Sequence, residues 1–92
     1  MWIRSQDRTI LRNVNDLFID SNKSGYMVCS DLNSIILGMY STEENALKVM
    51  DMIEDAIIDY ETMMNNKDGF FNERRIVFQM PQDSVVAAIL SD

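Results

Sequence analysis

Between Ala46 and Met64 the apolar residues Ala46, Met50, Ile53, Ile57, Tyr60 and Met64 recur in steps of four, three, four, three and four. That spacing is the seam of one helix face. Val49, Met52, Ala56 and Met63 widen the face, and Asp51, Glu54, Asp55, Asp59 and Glu61 fill its outside. Ser41-Thr42-Glu43-Glu44 opens the segment as a capping box: the Ser41 hydroxyl takes an orphan N–H of the first turn while Glu44 reaches back. The pattern predicts a helix over Ser41–Met64. Asn65-Asn66-Lys67-Asp68-Gly69 ends it, with Gly69 or an Asn supplying a left-handed residue.

Before the helix the period falls to two. Trp2–Gln6 reads as a strand with Trp2, Arg4 and Gln6 on one face and Ile3 and Ser5 on the other. Asp7-Arg8 is a turn. Thr9–Val14 is a second strand, continuing through Leu17-Phe18-Ile19 after an irregularity at Asn15-Asp16. Ser21 to Gly25 is turn chemistry, Tyr26–Ser30 is β-prone, and Asp31-Leu32-Asn33 turns again. Ser34–Tyr40 is apolar on both faces, the mark of a strand covered twice. After the helix, Ile76, Phe78 and Met80 alternate with Arg75, Val77 and Gln79, so Arg74–Met80 reads as a strand stopped by Pro81. Asp83 caps a short helix, Ser84–Leu90, too apolar to lie in water. That tail either closes the core or packs on a neighbouring chain. The predicted fold is α+β: an antiparallel meander of about four strands, one long amphipathic helix, a further C-terminal strand and a short apolar tail.

Composition narrows the partners. Ninety-two residues make one domain, 1–92, whose core is small enough that oligomerisation is a common source of stability. The helix is apolar over more width than one small sheet covers, and eight methionines give adaptable contact surface, so a homo-oligomer is expected. Apolar runs are too short to span a bilayer, and Met1-Trp2-Ile3-Arg4 lacks the apolar stretch of a secretory signal. The lone Cys29 excludes an internal disulfide framework and suits a reducing cytosol. A cytoplasmic protein with no membrane partner is expected. The net charge of −7 argues against general nucleic-acid binding. The acidic surface either only maintains solubility or occupies a basic groove on a protein partner as nucleic acid would.

Candidate chemistry is sparse. With no histidine and one cysteine, a structural zinc site is not expected. Asp20-Ser21-Asn22-Lys23-Ser24-Gly25, with Asp31 at position twelve, matches the spacing of a calcium loop. Arg12-Asn13-Val14-Asn15-Asp16 is nevertheless a poor entering helix, and position twelve is not the bidentate Glu, so a polar hairpin turn is the preferred reading. Glu54 with Asp55 or Asp51 has the donors for magnesium, but carboxylates on an outer helix face are ordinarily a solvated surface. Cys29 lacks a histidine partner and reads as a buried thiol. No glycine-rich phosphate loop is present. No enzyme activity and no cofactor are expected.

What remains is a binding constellation: Trp2, Arg4, Arg8 and Arg12 near one end, and Phe70, Phe71, Arg74 and Arg75 near the other. Guanidinium forks match phosphate oxygens and aromatic faces stack on bases. In the plainer alternative Trp2 and the Phe pair are core and the arginines pair with nearby carboxylates.

Three stretches carry a resemblance: Met1 to Asp7 (MWIRSQD), Leu37 to Glu44 (LGMYSTEE) followed by Ala46 to Ile53 (ALKVMDMI), and Val77 to Asp83 (VFQMPQD). In order and spacing they resemble small proteins of phages and prophages of Gram-positive bacteria, mostly without assigned function. The resemblance does not extend over Ser21 to Asn33 or the tail from Ser84. It implies a viral accessory protein of the host cytoplasm acting against bacterial immunity. One such group comprises homo-oligomeric sponges that capture cyclic nucleotide-type signals without cleaving them, as Thoeris and CBASS antagonists do. The other comprises acidic inhibitors of a host defence nuclease, as many anti-CRISPR proteins are. The implied partner is a small nucleotide-type ligand or a host defence protein.

Overall fold

The computed structural model describes residues 1–30, 35–64 and 77–92. The predicted turn at Asp31-Leu32-Asn33, the helix terminator at 65–69 and the first half of the strand predicted over Arg74–Met80 lie outside them. The elements run β1 (Trp2–Arg4), β2 (Leu11–Asn13), β3 (Leu17–Asn22), β4 (Gly25–Ser30), β5 (Ile36–Tyr40), α1 (Glu43–Met64), β6 (Val77–Gln79) and α2 (Asp83–Leu90). The fold is α+β, as predicted, but its strands form two three-stranded sheets, ordered β2-β1-β6 and β3-β4-β5, rather than one meander. The second strand and its predicted continuation separate at Val14 to Asp16 and join different sheets. β3, β4 and β5 are antiparallel neighbours, whereas β6 returns to pair parallel with β1, Trp2 opposite Val77 and Arg4 opposite Gln79.

Local chemistry explains the turns. Asn22 Oδ1 accepts the Ser24 N–H at 2.7 Å, closing a tight turn between β3 and β4. Gly25 follows at φ +140°, and a Cβ there would lie 2.5 Å from the Tyr40 carbonyl oxygen, so only glycine fits. Asp20 to Ser30 is thus a β-hairpin with no helix leading in. The β1–β2 turn is held by Asp7, which accepts from the Thr9 N–H, the Thr9 hydroxyl and the Ser5 hydroxyl.

The helix begins one residue later than the capping box implies. Thr42, not Ser41, caps it, its hydroxyl accepting the Asn45 N–H at 3.0 Å. The Ser41 N–H goes instead to Asp83, which also accepts from the Asn45 amide. Asp83 therefore does not cap α2; Gln82 occupies that position without a side-chain bond, and α2 starts at Asp83 itself. On α1, Ala46, Val49 and Ile53 are buried in a core shared with Ile3, Val28, Leu37, Tyr40, Met80 and Val86. Beyond Ile53 the predicted seam comes out of the core: Ile57 is 39% exposed. The reason is length. A helix of 22 residues runs about 33 Å, while the strand of six residues beneath it covers about 20 Å. The apolar tail divides in the same way. Val86 packs into the core, while Val85 and Ile89 remain on the surface.

The two sheets are joined through Gln6, by its backbone and its side chain. Gln6 donates its backbone N–H to the Leu37 carbonyl, and its carboxamide exchanges two bonds with Met39. Gln6 Nε2 also reaches the Pro81 carbonyl, which accepts the Tyr40 hydroxyl as well. Gln82 donates back to the Gln6 carbonyl and Gln79 to that of Ser5. Met1 to Asp7, Leu37 to Glu44 and Val77 to Asp83 therefore meet at one hydrogen-bonded junction. Those motifs build a joint in the scaffold.

Candidate functional site

The alternation of β1 decides which candidate residues can act together. Ile3 points inward and is 1% exposed, so Trp2 and Arg4 must point outward, about 6.6 Å apart along the strand. Both are exposed, Trp2 at 43%. Pairing fills in the rest of this face. Trp2 lies between Asn13 of β2 and Val77 of β6, and Arg4 between Leu11 and Gln79. All six residues are exposed. The outer face of the N-terminal sheet is thus a small platform with an indole at one end, a guanidinium at the other, and Leu11 and Val77 as apolar flanks.

The other candidates separate from it. Arg8 is exposed in the β1–β2 turn at φ 69°, a left-handed conformation unusual for a residue with a Cβ. Arg12 lies opposite Ile3, on the inner face, and is half-buried. It cannot join Trp2 and Arg4 on one surface. Phe70, Phe71, Arg74 and Arg75 lie outside the described residues. Gln6, predicted to continue the Trp2–Arg4 row, leaves it to bond Met39 and Pro81. The plainer reading of Trp2 as core does not hold, since its ring is on the surface.

In the β1–β2 turn the Asp7 carboxyl is lowered to about 2, chiefly by the Thr9 N–H and then by the Thr9 and Ser5 hydroxyls. That negative charge is committed to the turn. Among the described residues no group of three His, Cys, Asp or Glu side chains is placed to hold a metal ion. Cys29 is buried, and burial, with the nearby Asp20 charge, raises its thiol above the ordinary range, the opposite of an activated nucleophile. No helix among the described residues is long and apolar enough to cross a membrane.

Leu11, Asn13, Val77 and Gln79 were not among the predicted site residues. The alternation of Arg75, Val77 and Gln79 against Ile76, Phe78 and Met80 already grouped two of them. What places them beside Trp2 and Arg4 is the parallel β1–β6 pairing between residues 75 apart, which local pattern does not encode.

The chain matches no protein-family model, no curated protein and no solved structure.

Proposed function

We propose that this chain is a non-catalytic binding protein that takes an anionic, base-bearing ligand of the cyclic nucleotide class on the outer face of its N-terminal sheet. The observation that supports this reading is the pairing of an exposed Trp2 with an exposed Arg4 on one face of β1. Aromatic stacking on a base contributes about 1–3 kcal/mol, and a guanidinium fork recognises phosphate oxygens in two-pronged fashion. Capture without cleavage is sequestration, the counter-defence role implied by the likeness to phage accessory proteins. A second copy is part of the proposal, because a platform of three short strands encloses no ligand and a facing copy would close it.

Calorimetry of the full chain against cyclic di- and trinucleotides and cyclic ADP-ribose isomers tests it. The reading expects one class of ligand to bind, to be released intact on heat denaturation, and to bind at least tenfold more weakly to Arg4→Ala at unchanged melting temperature. No heat and no recovered ligand with any of them overturns it.

The acidic outer surface of α1 favours a second reading. Glu43, Glu44, Asp51, Glu54, Asp55, Asp59 and Glu61 are all exposed there, beside Leu47 and Ile58. Such a surface fits a basic groove on a host defence nuclease. Recovery of one such enzyme on immobilised chain, lost on Asp51→Lys with Asp55→Lys, distinguishes this from ligand capture.

A further inference from the structure

The Gln79 carboxamide stands beside Arg4 with its orientation fixed. The parallel β1–β6 register sets Gln79 opposite Arg4, and both residues are exposed on the outer face of the sheet. Gln79 Nε2 donates to the Ser5 carbonyl at 2.9 Å and to the Met80 carbonyl at 3.0 Å. A carboxamide nitrogen carries two hydrogens, so both are spent. The backbone gives the reason. Met80 donates its N–H to the Arg4 carbonyl, and the next rung of a parallel ladder would bring the Gln6 N–H to the Met80 carbonyl. The Gln6 N–H goes to Leu37 instead, and the Gln79 nitrogen fills the gap. A reversed amide would set its oxygen against two carbonyl oxygens, so donor and acceptor cannot exchange places. Oε1 is left facing away from those carbonyls, and no donor among the described residues meets it.

Resting on the nucleotide reading proposed above, we infer that Gln79 is a specificity residue of the platform: its Oε1 accepts the ribose 2′-hydroxyl of a 3′,5′-linked cyclic nucleotide, so the site takes ribonucleotides in preference to their 2′-deoxy counterparts. A phosphate oxygen at neutral pH only accepts hydrogen bonds, as Oε1 does. Arg4 can therefore hold the phosphate, and Gln79 cannot. Gln79 needs a donor close to that phosphate. The donors of a base stacked on Trp2 lie two residues away, about 6.6 Å along β1. The 2′-hydroxyl is nearer, on the carbon next to the one that bears the 3′-phosphate ester. It both donates and accepts, and it is what distinguishes ribose from deoxyribose at a protein site. With a 2′-deoxy sugar, Oε1 gives up its water and gains no donor in return. A carboxamide able to rotate could turn an N–H toward the phosphate instead; one pinned by Ser5 and Met80 discriminates.

The test is calorimetry of the full chain with cyclic di-AMP, cyclic di-GMP and 3′,5′-cyclic AMP, each beside its 2′-deoxy and 2′-fluoro analogues. A ribonucleotide that binds is expected to do so roughly fivefold more tightly than its 2′-deoxy analogue, the ratio for one neutral hydrogen bond. The 2′-fluoro analogue occupies the place of the hydroxyl without a proton and is expected to match the deoxy compound. This comparison needs no altered protein. Gln79→Ala is expected to bring the ratio close to one, whereas Arg4→Ala weakens both members of a pair and keeps their ratio. Equal affinity of ribo and deoxy compounds, a 2′-fluoro analogue that binds as well as the ribonucleotide, or a ratio that survives Gln79→Ala overturns the role of Gln79 and leaves the platform standing. Absence of binding by all of these probes overturns it too, while the wider ligand set named above decides separately on the platform.

Discussion

The Gln6 carboxamide lies against the Met39 backbone as a peptide unit of a neighbouring strand would: its Oε1 accepts the Met39 N–H at 2.9 Å, and its Nε2 donates to the Met39 carbonyl at 3.1 Å. With the Gln6 N–H on the Leu37 carbonyl at 2.7 Å, one residue extends the ladder from β5 to the chain leaving β1. Gln6→Ala removes the side-chain bonds to Met39 and Pro81 and leaves part-buried backbone groups unpaired, at about 1–3 kcal/mol for each group left unsatisfied. Urea unfolding is expected to show a loss of about 3 kcal/mol. Gln6→Glu keeps only the acceptor half and is expected to lose stability as well, more at pH 7 than at acid pH, where the protonated carboxyl donates again.

Helix capping gives a sharper contrast. Because Thr42 holds the Asn45 N–H, Thr42→Ala is expected to cost about 1 kcal/mol. Ser41 meets Asp83 chiefly through its backbone N–H and more weakly through its hydroxyl, so Ser41→Ala should cost less than Thr42→Ala. The reverse result would restore the capping box at Ser41.

Acid stability follows from Asp7. Its folded value, about 2, lies below its ordinary value of 3.8. The unfolded chain therefore binds more protons between those values, and stability rises with pH there. The contribution is complete above pH 4 and disappears as pH falls toward 2. Asp83 is lowered in the same direction by the Ser41 N–H and the Asn45 amide. Asp7→Asn is expected to flatten the melting temperature between pH 4 and pH 2 relative to the parent chain, measured by circular dichroism.

How much of this was legible in the sequence depends on the range of each interaction. Alternation along β1 grouped Ile3 with Ser5, which are both buried, and the helical period found Ala46, Val49 and Ile53. The hairpin at Asn22 to Gly25 was equally local. The cap slipped by one residue because Ser41 and Thr42 are chemically equivalent candidates, and Asp83, distant in sequence, settles which of them turns inward. Strand pairing had no local signature. Nothing in Val77 to Gln79 states that it pairs with Trp2 to Arg4, and nothing local states that the chain changes sheets between Asn13 and Leu17. The site followed suit: alternation grouped Trp2 with Arg4, whereas the cross-strand register put Arg12 on the opposite face.

The second copy in the proposed function is tested at an exposed apolar pair. Val85 and Ile89 are one helical turn apart on α2 and are 50% and 42% exposed. Light scattering coupled to size exclusion is expected to give at least twice the monomer mass of 10.7 kDa. Ile89→Lys should return the protein to the monomer with its circular dichroism unchanged. A monomeric parent chain removes the facing copy from the proposed function.

The most direct measurement of the central claim uses Trp2, the only tryptophan in the chain. Stacking of a base on the exposed indole should quench its fluorescence saturably as a cyclic nucleotide is added, with the signal shifting to at least tenfold higher ligand concentration in Arg4→Ala. Ligand binding detected by calorimetry while Trp2 emission stays constant would place the ligand elsewhere on the molecule and contradict the account.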